Sequence, residues 1–252
     1  MELNFLGRGS AFNPKEGNTS AYFIEGRELF LIDCGETVFS KLMELDLLNE
    51  IDRVNLLITH THSDHIGSLG SLVLYSYYVL NKPLNIITSL YCKHLPNIER
   101  VLKGFGCTNN MYSFIDIEKY DNKFESFNMI RFIETNHVKE LHCYGLLFST
   151  SNGLVYYSGD TCKIDVIKLL IDSGQVIDKM YIETTSANYL GNIHLYIGDL
   201  NRVIPDNLKD KVYCMHVNND ECINNVIKNG FNMVDVVNNK RFILKKEKNN
   251  YE

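Results

Sequence analysis

The chain has 252 residues, of which 45% are hydrophobic and 22% charged, and its net charge is −6. This composition excludes disordered, collagen-like and coiled-coil chains, and the acidity argues against a protein that binds long nucleic acids, which usually needs a basic surface. No apolar run reaches the roughly 18 residues of a membrane-spanning helix, and no signal peptide is visible at the first residues. Seven scattered cysteines without a CxxC pair favour reduced thiols in a cytoplasmic protein.

Short apolar runs rich in β-branched and aromatic residues predict strands along the chain. In order, they cover residues 3–6, 21–24, 29–32, 54–59, 85–88, 129–133, 144–148, 154–157, 179–182 and 211–215. Helical patterns cover residues 38–48, 66–80, 91–103, 164–173, 198–204 and 220–228. This partial alternation indicates layered sheets covered by helices. We expect one domain over residues 1–244 and a charged tail over residues 245–252, because no repeat or proline-rich linker divides the chain.

A dense set of metal-ligating side chains follows the predicted strand 54–59. The segment reads His60-Thr61-His62-Ser63-Asp64-His65. His60 and His62 point the same way in an extended chain, while Asp64 and His65 come where the chain turns into the next helix. Three imidazoles and a carboxylate this close together suit a borderline divalent metal such as zinc. The alternative, a polar loop of histidines with other partners, needs a separate explanation for each of the four side chains.

The His-x-His-x-Asp-His segment is similar to the signature of the metallo-β-lactamase superfamily of metal-dependent hydrolases. The resemblance implies an α/β fold, a four-layer αββα sandwich with a dinuclear metal centre at one edge of the sheets. It also implies later ligands in a fixed order: a His, an Asp after a Gly, and a final His. The chain supplies candidates just after three predicted strands, namely His137, Asp160 and His216.

The same resemblance implies how two divalent metal ions share these ligands. One ion takes His60, His62 and His137. The other takes Asp64, His65 and His216, and Asp160 bridges the two. Zinc is preferred, and manganese or iron would also suit this ligand set. Two adjacent cations stabilise a dianionic phosphoryl transition state best, which favours phosphoester cleavage, although relatives with similar ligands hydrolyse lactones and thioesters.

Two motifs resemble the ribonuclease Z-like branch of the superfamily. One is the glycine-containing segment 5–11 with Asn18-Thr19-Ser20, which could also be a plain turn between edge strands. The other is Tyr181-Ile182-Glu183-Thr184-Thr185, followed by Gly191-Asn192-Ile193-His194. In that branch the His is thought to protonate the leaving oxygen and the Glu to orient it, so His194, Glu183 and Asp64 are the catalytic candidates. Leu195-Tyr196 departs from the small hydroxylic residues usual after this His, so an ordinary loop histidine remains an alternative.

The lack of a long insertion in one part of the sequence narrows the predicted substrate further. Transfer-RNA-processing members of the branch insert a long arm between the ligands that correspond to His137 and Asp160, and here only 22 residues separate them. The chain instead resembles arm-less relatives that hydrolyse cyclic nucleotides, including the phage anti-Pycsar proteins, which degrade cyclic mononucleotide immune signals. We therefore predict a homodimeric phosphodiesterase of small cyclic nucleotides, 3′,5′-cyclic mononucleotides first, in the cytoplasm (of the host, if the source is viral).

Three alternatives stay open at this point. The first is a tRNA 3′-endonuclease that binds its RNA through a partner subunit. The second is a lactonase or thioesterase, and the third is a non-catalytic metal-binding module. Three further residues also have two readings each. Asp33 either orients a ligating histidine or ends a strand. His94 is expected to be a surface or packing residue, and His142 either lines the pocket or stays on the surface.

Overall fold

The computed structural model describes residues 1–119 and 124–238. Its strands are β1 Asn4–Gly7, β2 Ser20–Glu25, β3 Glu28–Ile32, β4 Arg53–Leu57, β5 Leu84–Thr88, β6 Tyr112–Asp116, β7 Met129–Thr135, β8 Cys143–Thr150, β9 Gly153–Tyr157, β10 Ile177–Glu183, β11 Val212–Met215 and β12 Asn232–Met233. Its α-helices are α1 Val38–Glu44, α2 Ser63–Ile66, α3 Leu69–Tyr78, α4 Leu95–Gly104, α5 Asp165–Asp172, α6 Ile197–Val203 and α7 Asp220–Lys228. Short 3-10 helices cover Ile117–Lys119 and Asp206–Lys211. The expected tail 245–252, and residues 239–244 of the expected domain, lie outside the described residues.

The strands form two sheets of six strands with matching plans. The first has the order β1-β2-β3-β4-β5-β6 and the second β12-β11-β10-β9-β8-β7. In the first sheet, β1, β2 and β3 pair antiparallel, and β3 to β6 pair parallel. In the second sheet, β7, β8 and β9 pair antiparallel, and β9 to β12 pair parallel. Parallel strands place their carboxyl ends at the same edge, so each sheet has one edge where the loops after successive strands meet.

Three apolar clusters show that the sheets stack face to face and carry helices on their outer faces. β3 illustrates the arrangement because side chains alternate along a strand. Leu29 and Leu31 pack in the cluster with α1 and α3, whereas Phe30 and Ile32 pack in the cluster between the sheets. Phe30 stacks there on Phe23, with 4.8 Å between the ring centroids. The order helix, sheet, sheet, helix is the predicted four-layer αββα sandwich.

The differences from the predicted elements have physical reasons. β6 was not predicted, because it is an edge strand whose middle residues are exposed and lack apolar alternation. β12 is only two residues long. The predicted helix 66–80 is interrupted at Gly67 and Ser68, where the Ser68 hydroxyl donates to the Gly35 carbonyl oxygen at 2.5 Å. The predicted helix 91–103 begins only at Leu95.

The site edge is built from both sheets. Five polar side chains lie at or just after the carboxyl ends of β3, β4, β9, β10 and β11: Asp33, His60, Asp160, Glu183 and His216. The two sheets are joined at this edge by a hydrogen bond from the Tyr144 N–H to the Thr59 carbonyl oxygen at 3.0 Å. Among the described residues, no helix has the length and apolarity that a membrane crossing needs.

Candidate metal centre

The first group of ligand atoms belongs to three histidines from two loops. His60 and His62 follow β4, and His137 follows β7. His62 Nδ1 lies 3.0 Å from His60 Nε2 and 3.1 Å from His137 Nε2. His60 and His137 are buried, and His62 is partly exposed. The predicted three-histidine set therefore converges on one point at the edge of the sandwich.

The second group is buried throughout and consists of Asp64, His65, Asp160 and His216. Asp64 and His65 lie in α2, the single short turn that follows the histidine motif. Asp64 Oδ2 is 3.2 Å from His216 Nε2 and 3.4 Å from His65 Nε2. Burial alone would raise the pKa of the Asp64 carboxyl, but contacts with His216 and His65 hold it well below its usual value. The carboxylate therefore stays ionised, as a metal ligand must be.

Asp160, a member of the second group, also reaches the first. Its Oδ2 is 3.6 Å from His137 Nε2 and 3.5 Å from His216 Nε2, and its Oδ1 is 3.5 Å from His65 Nε2. Although burial alone would raise its pKa, the charges of the surrounding imidazoles, His216 first, hold the pKa well below its usual value. A carboxylate that reaches both ligand groups has the placement of a bridging ligand.

The donor set fits divalent cations. His65 Nε2 is buried, has no hydrogen-bond partner and faces the oxygens of Asp64 and Asp160. An unpartnered buried nitrogen costs free energy unless something occupies the space before it. Imidazole nitrogens and carboxylate oxygens gathered in this way are the ligand types of zinc and similar metals. The clusters and the fold thus support divalent metal binding at this edge.

Asp33 is hydrogen-bonded to His65 on the side of the ring that faces away from the cluster. Its Oδ2 accepts a hydrogen bond from His65 Nδ1 at 2.8 Å, and its two oxygens accept the Thr59 N–H and hydroxyl, each at 2.8 Å. The Asp33 backbone has a φ of 62°, a left-handed conformation that non-glycine residues rarely adopt. Of the two readings from sequence, the structure favours the orienting role, because the carboxylate fixes the ring that turns Nε2 toward the cluster.

Two glycines allow the backbone to pack beneath the ligands, and sequence reasoning missed both roles. A Cβ on Gly35 would overlap the backbone oxygen of Asp64. Gly159 has a φ of 56°, and a Cβ there would overlap the Tyr144 carbonyl oxygen. The available signal was that each glycine follows the end of a strand by two or three residues and lies within two residues of an aspartate, Asp33 or Asp160. A side chain at Gly35 would move Asp64 out of the cluster.

Glu183 and His194 form a pair beside the cluster. His194 Nδ1 is 2.9 Å from Glu183 Oε2, and Glu183 is held in turn by donors that include the Thr161 N–H. Burial opposes protonation of His194, but the Glu183 carboxylate raises its pKa above the ordinary value. His194 Nδ1 is also 3.8 Å from Asp160 Oδ2, and the four side chains His137, Asp160, Glu183 and His194 form a further group of possible ligands.

The loop that carries His194 is tied directly to a candidate ligand. His137 Nδ1 donates to the Ile193 carbonyl oxygen at 2.8 Å. A ligating histidine commonly donates its second ring N–H to such an acceptor, which fixes the tautomer and the ring orientation. The position of the His194 loop and the orientation of His137 therefore depend on each other.

The two remaining histidines lie outside the cluster. His94 is buried, its Nε2 donates to the Ile58 carbonyl oxygen at 2.9 Å, and its ring packs against Tyr144. It is a packing residue, in keeping with the surface or packing role expected for it. His142 is exposed, with its Nδ1 3.6 Å from a Glu134 carboxylate oxygen, so it lies on the surface rather than in the cluster.

The chain is similar in sequence to known proteins of one family. The family model of the anti-Pycsar protein Apyc1 matches residues 1–241. Anti-Pycsar protein Apyc1 of Bacillus phage BSP38 is 30% identical over 240 residues, which cover 85% of this chain and 88% of the phage protein. The Apyc1 protein of Paenibacillus harenae is 28% identical over 226 residues, with 86% and 89% covered.

Solved structures resemble the fold at lower identity. The metallo-β-lactamase fold protein YhfI from Bacillus subtilis superposes with a TM-score of 0.69 at 20% identity and covers 93% of this chain and 95% of its own. A diphosphatase from the PhnP family has a TM-score of 0.69 at 15% identity, with 93% and 94% covered. The short form of human tRNase Z, ELAC1, has a TM-score of 0.60 at 18% identity, with 88% and 94% covered.

These findings together give the fold and the family. The fold is that of the metallo-β-lactamase fold proteins, and side chains able to bind a metal cluster at its site edge. Because the family model spans nearly the whole chain and a relative shares 30% identity over most of it, the chain belongs to the anti-Pycsar protein Apyc1 family.

Proposed function

We propose that the chain is a dinuclear metal-dependent phosphodiesterase that hydrolyses small cyclic nucleotides, with 3′,5′-cyclic mononucleotides preferred. The observation that carries the proposal is the Asp160 carboxylate between two groups of buried ligands, with the Glu183–His194 pair beside it. Membership of a family of anti-Pycsar proteins supports a cyclic nucleotide as the substrate.

The ligand assignment follows the two groups. His60, His62 and His137 would hold one cation, Asp64, His65 and His216 the other, and Asp160 both. Bound there, two divalent cations would supply a water ionised near neutral pH and neutralise the charge that develops on the phosphoryl group. We infer zinc as the preferred metal from the number of imidazoles, with manganese and iron as the other suitable ions.

Residues of the chain itself can supply the proton that the leaving group needs. Cleavage of a ribose P–O bond adds water to phosphorus and leaves an alkoxide, which needs a proton as the bond breaks. His194 would donate that proton, since Glu183 at 2.9 Å orients its ring and favours its charged form. Asp64 would position the attacking water, because its carboxylate lies among the ligand atoms of the second group.

The interval between His137 and Asp160 supports a small substrate. It is filled by the hairpin of β8 and β9, with a turn after Thr150, and contains no long arm that could hold a tRNA. The net charge of −6 likewise disfavours binding of a long polyanion. By its resemblance to the ribonuclease Z-like branch we also propose a homodimer, acting in the cytoplasm, or in the host cytoplasm if the chain is viral.

A substrate panel tests this function. Purified protein is incubated with 3′,5′-cyclic mononucleotides, cyclic dinucleotides, a tRNA precursor and a lactone, each with and without a chelator. We expect hydrolysis of cyclic mononucleotides to a linear nucleotide, and loss of that activity with chelator. Turnover of the tRNA precursor alone, or of the lactone alone, would overturn the proposal in favour of the corresponding alternative.

A further inference from the structure

Two loops, which we call the rim loops, border the metal centre on the side of His216. The first covers residues 8–19 between β1 and β2, and the second covers residues 184–196 between β10 and α6 and contains His194. Both are anchored to the residues directly after His216. In the first, the Ser10 N–H and the Asn13 side-chain amide donate to the Val217 carbonyl oxygen at 3.1 and 3.0 Å.

The second rim loop is anchored to the next residue along the chain. The Ser186 N–H donates to Asn218 Oδ1 at 3.3 Å. Two hydrogen bonds lie within the second rim loop. The Asn192 side-chain amide donates to the Ala187 carbonyl oxygen at 2.9 Å, and the His194 N–H donates to Asn192 Oδ1 at 3.1 Å. Both rim loops are therefore hydrogen-bonded to the segment that follows His216.

The tips of both rim loops present exposed aromatic side chains. Phe12 is 96% exposed and Tyr189 is 61% exposed, with Leu190 next to it fully exposed. Single exposed apolar residues are common on protein surfaces. Here, however, two aromatic rings stand on anchored loops that flank the residues after one ligand, and Tyr189 comes five residues before the proposed proton donor His194. Neither ring has an aromatic partner among the described residues.

We propose that Phe12 and Tyr189 form a clamp for the nucleobase of the substrate. The inference rests on the proposed function, because it places the cyclic phosphate at the metal centre and the base at the rim. An aromatic side chain can stack on the π-face of any base and removes apolar surface from water when it does. The clamp thus raises affinity for nucleotides over base-free phosphodiesters, without reading the edge of the base.

The test compares a 3′,5′-cyclic mononucleotide with base-free ribose 3′,5′-cyclic phosphate. For Phe12→Ser and Tyr189→Ser we expect KM for the cyclic nucleotide to rise about 5- to 150-fold, the range that corresponds to loss of one base-stacking contact. We expect kcat to change less than about twofold, and both constants for the base-free substrate to stay unchanged. Ile227→Ser is the matched control, since Ile227 is 62% exposed on α7.

Each other outcome has a defined meaning. An equal loss on both substrates would show that the aromatic tips act through the structure of the site, and unchanged KM values would show that they do not contact the base. A change of molecular mass in light scattering, without a change in KM, would assign them to an interface between copies. Any of these overturns the clamp while the phosphodiesterase stands. Wild-type protein that turns over neither substrate overturns the proposed function and the clamp with it.

Discussion

The ligand clusters and the loop that carries His194 lie at the same edge of the sandwich but are held in different ways. The second ligand group is buried, rests on the Asp33 carboxylate and is packed against the backbone at Gly35. His194 is instead 26% exposed in its side chain and depends on a few polar contacts in a surface loop. The candidate ligands are thus positioned by the packing of the two sheets, whereas His194, the proposed proton donor, can be replaced without disturbing the fold.

The largest effect should come from the buried cluster. Asp64→Ala removes a ligand carboxylate and leaves His216 Nε2 without its partner at 3.2 Å. We expect kcat/KM for a cyclic mononucleotide to fall about 10³-fold or more, because charge stabilisation at the phosphoryl group is lost. Steady-state kinetics and circular dichroism check this. Asp206→Ala, at a 96% exposed carboxylate, is the control and should change neither. Substantial residual activity in Asp64→Ala would contradict the metal role.

A smaller and substrate-dependent effect is expected in the rim loop. His194→Ala should lower kcat for cyclic nucleotides about 10²-fold or more, because the alkoxide loses its proton donor. A nitrophenyl phosphodiester, whose leaving group needs little protonation, should lose less than about threefold. The ratio of the two losses measures the role of His194. If both substrates lose the same factor, His194 does not act as the acid.

The carboxylate beneath the cluster should matter less than a ligand. In Asp33→Asn the amide can no longer fix His65 by a charged acceptor at 2.8 Å. We expect the affinity for the metal to fall about 10- to 100-fold, as is typical when such an orienting partner is lost. Competition with a chelator, read by mass spectrometry of the metal content, measures the change. An affinity equal to that of the wild type would remove Asp33 from the metal centre.

The smallest effect concerns stability away from the chemistry. Burial lowers the pKa of His94 to about 4 from its ordinary 6.5. Between about pH 6.5 and pH 4, His94 is protonated in the unfolded chain but stays neutral in the folded chain. The free energy of unfolding therefore decreases as pH falls, by about 2 kcal/mol at pH 5. His94→Gln keeps a donor for the Ile58 carbonyl oxygen and should lose this part of the pH dependence. Denaturant unfolding of both proteins at about pH 7.5 and pH 5 tests it, and parallel pH curves would contradict it.

The same contrast explains what the sequence could predict. His60, His62, Asp64 and His65 stand within one short motif, so their ligand types and spacing are visible without a structure. The later ligands needed strand ends together with the family resemblance, and their roles stay predictions. Layered sheets covered by helices were predictable because strand runs partly alternate with helical patterns, whereas the four-layer order was implied by the family resemblance.

Other features depend on contacts between distant segments and left little trace in the sequence. β6 is an edge strand without apolar alternation. Gly35 matters only because α2 returns to pack on it, and Asp33 only because Thr59 and His65 lie above it. The flanking of Val217 and Asn218 by the rim loops joins residues more than 200 positions apart in one case and about 30 in the other. No local pattern encodes such neighbours.

We propose that the two groups of candidate ligands hold two cations that together catalyse phosphodiester cleavage. The most direct measurement is a titration of metal-free protein with zinc or manganese, in which native mass spectrometry counts bound ions while hydrolysis of a cyclic mononucleotide is followed in the same samples. We expect two ions per chain at saturation and activity that appears as the second ion binds. Activity in the ion-free protein, or full activity with saturation at a single ion, would contradict it.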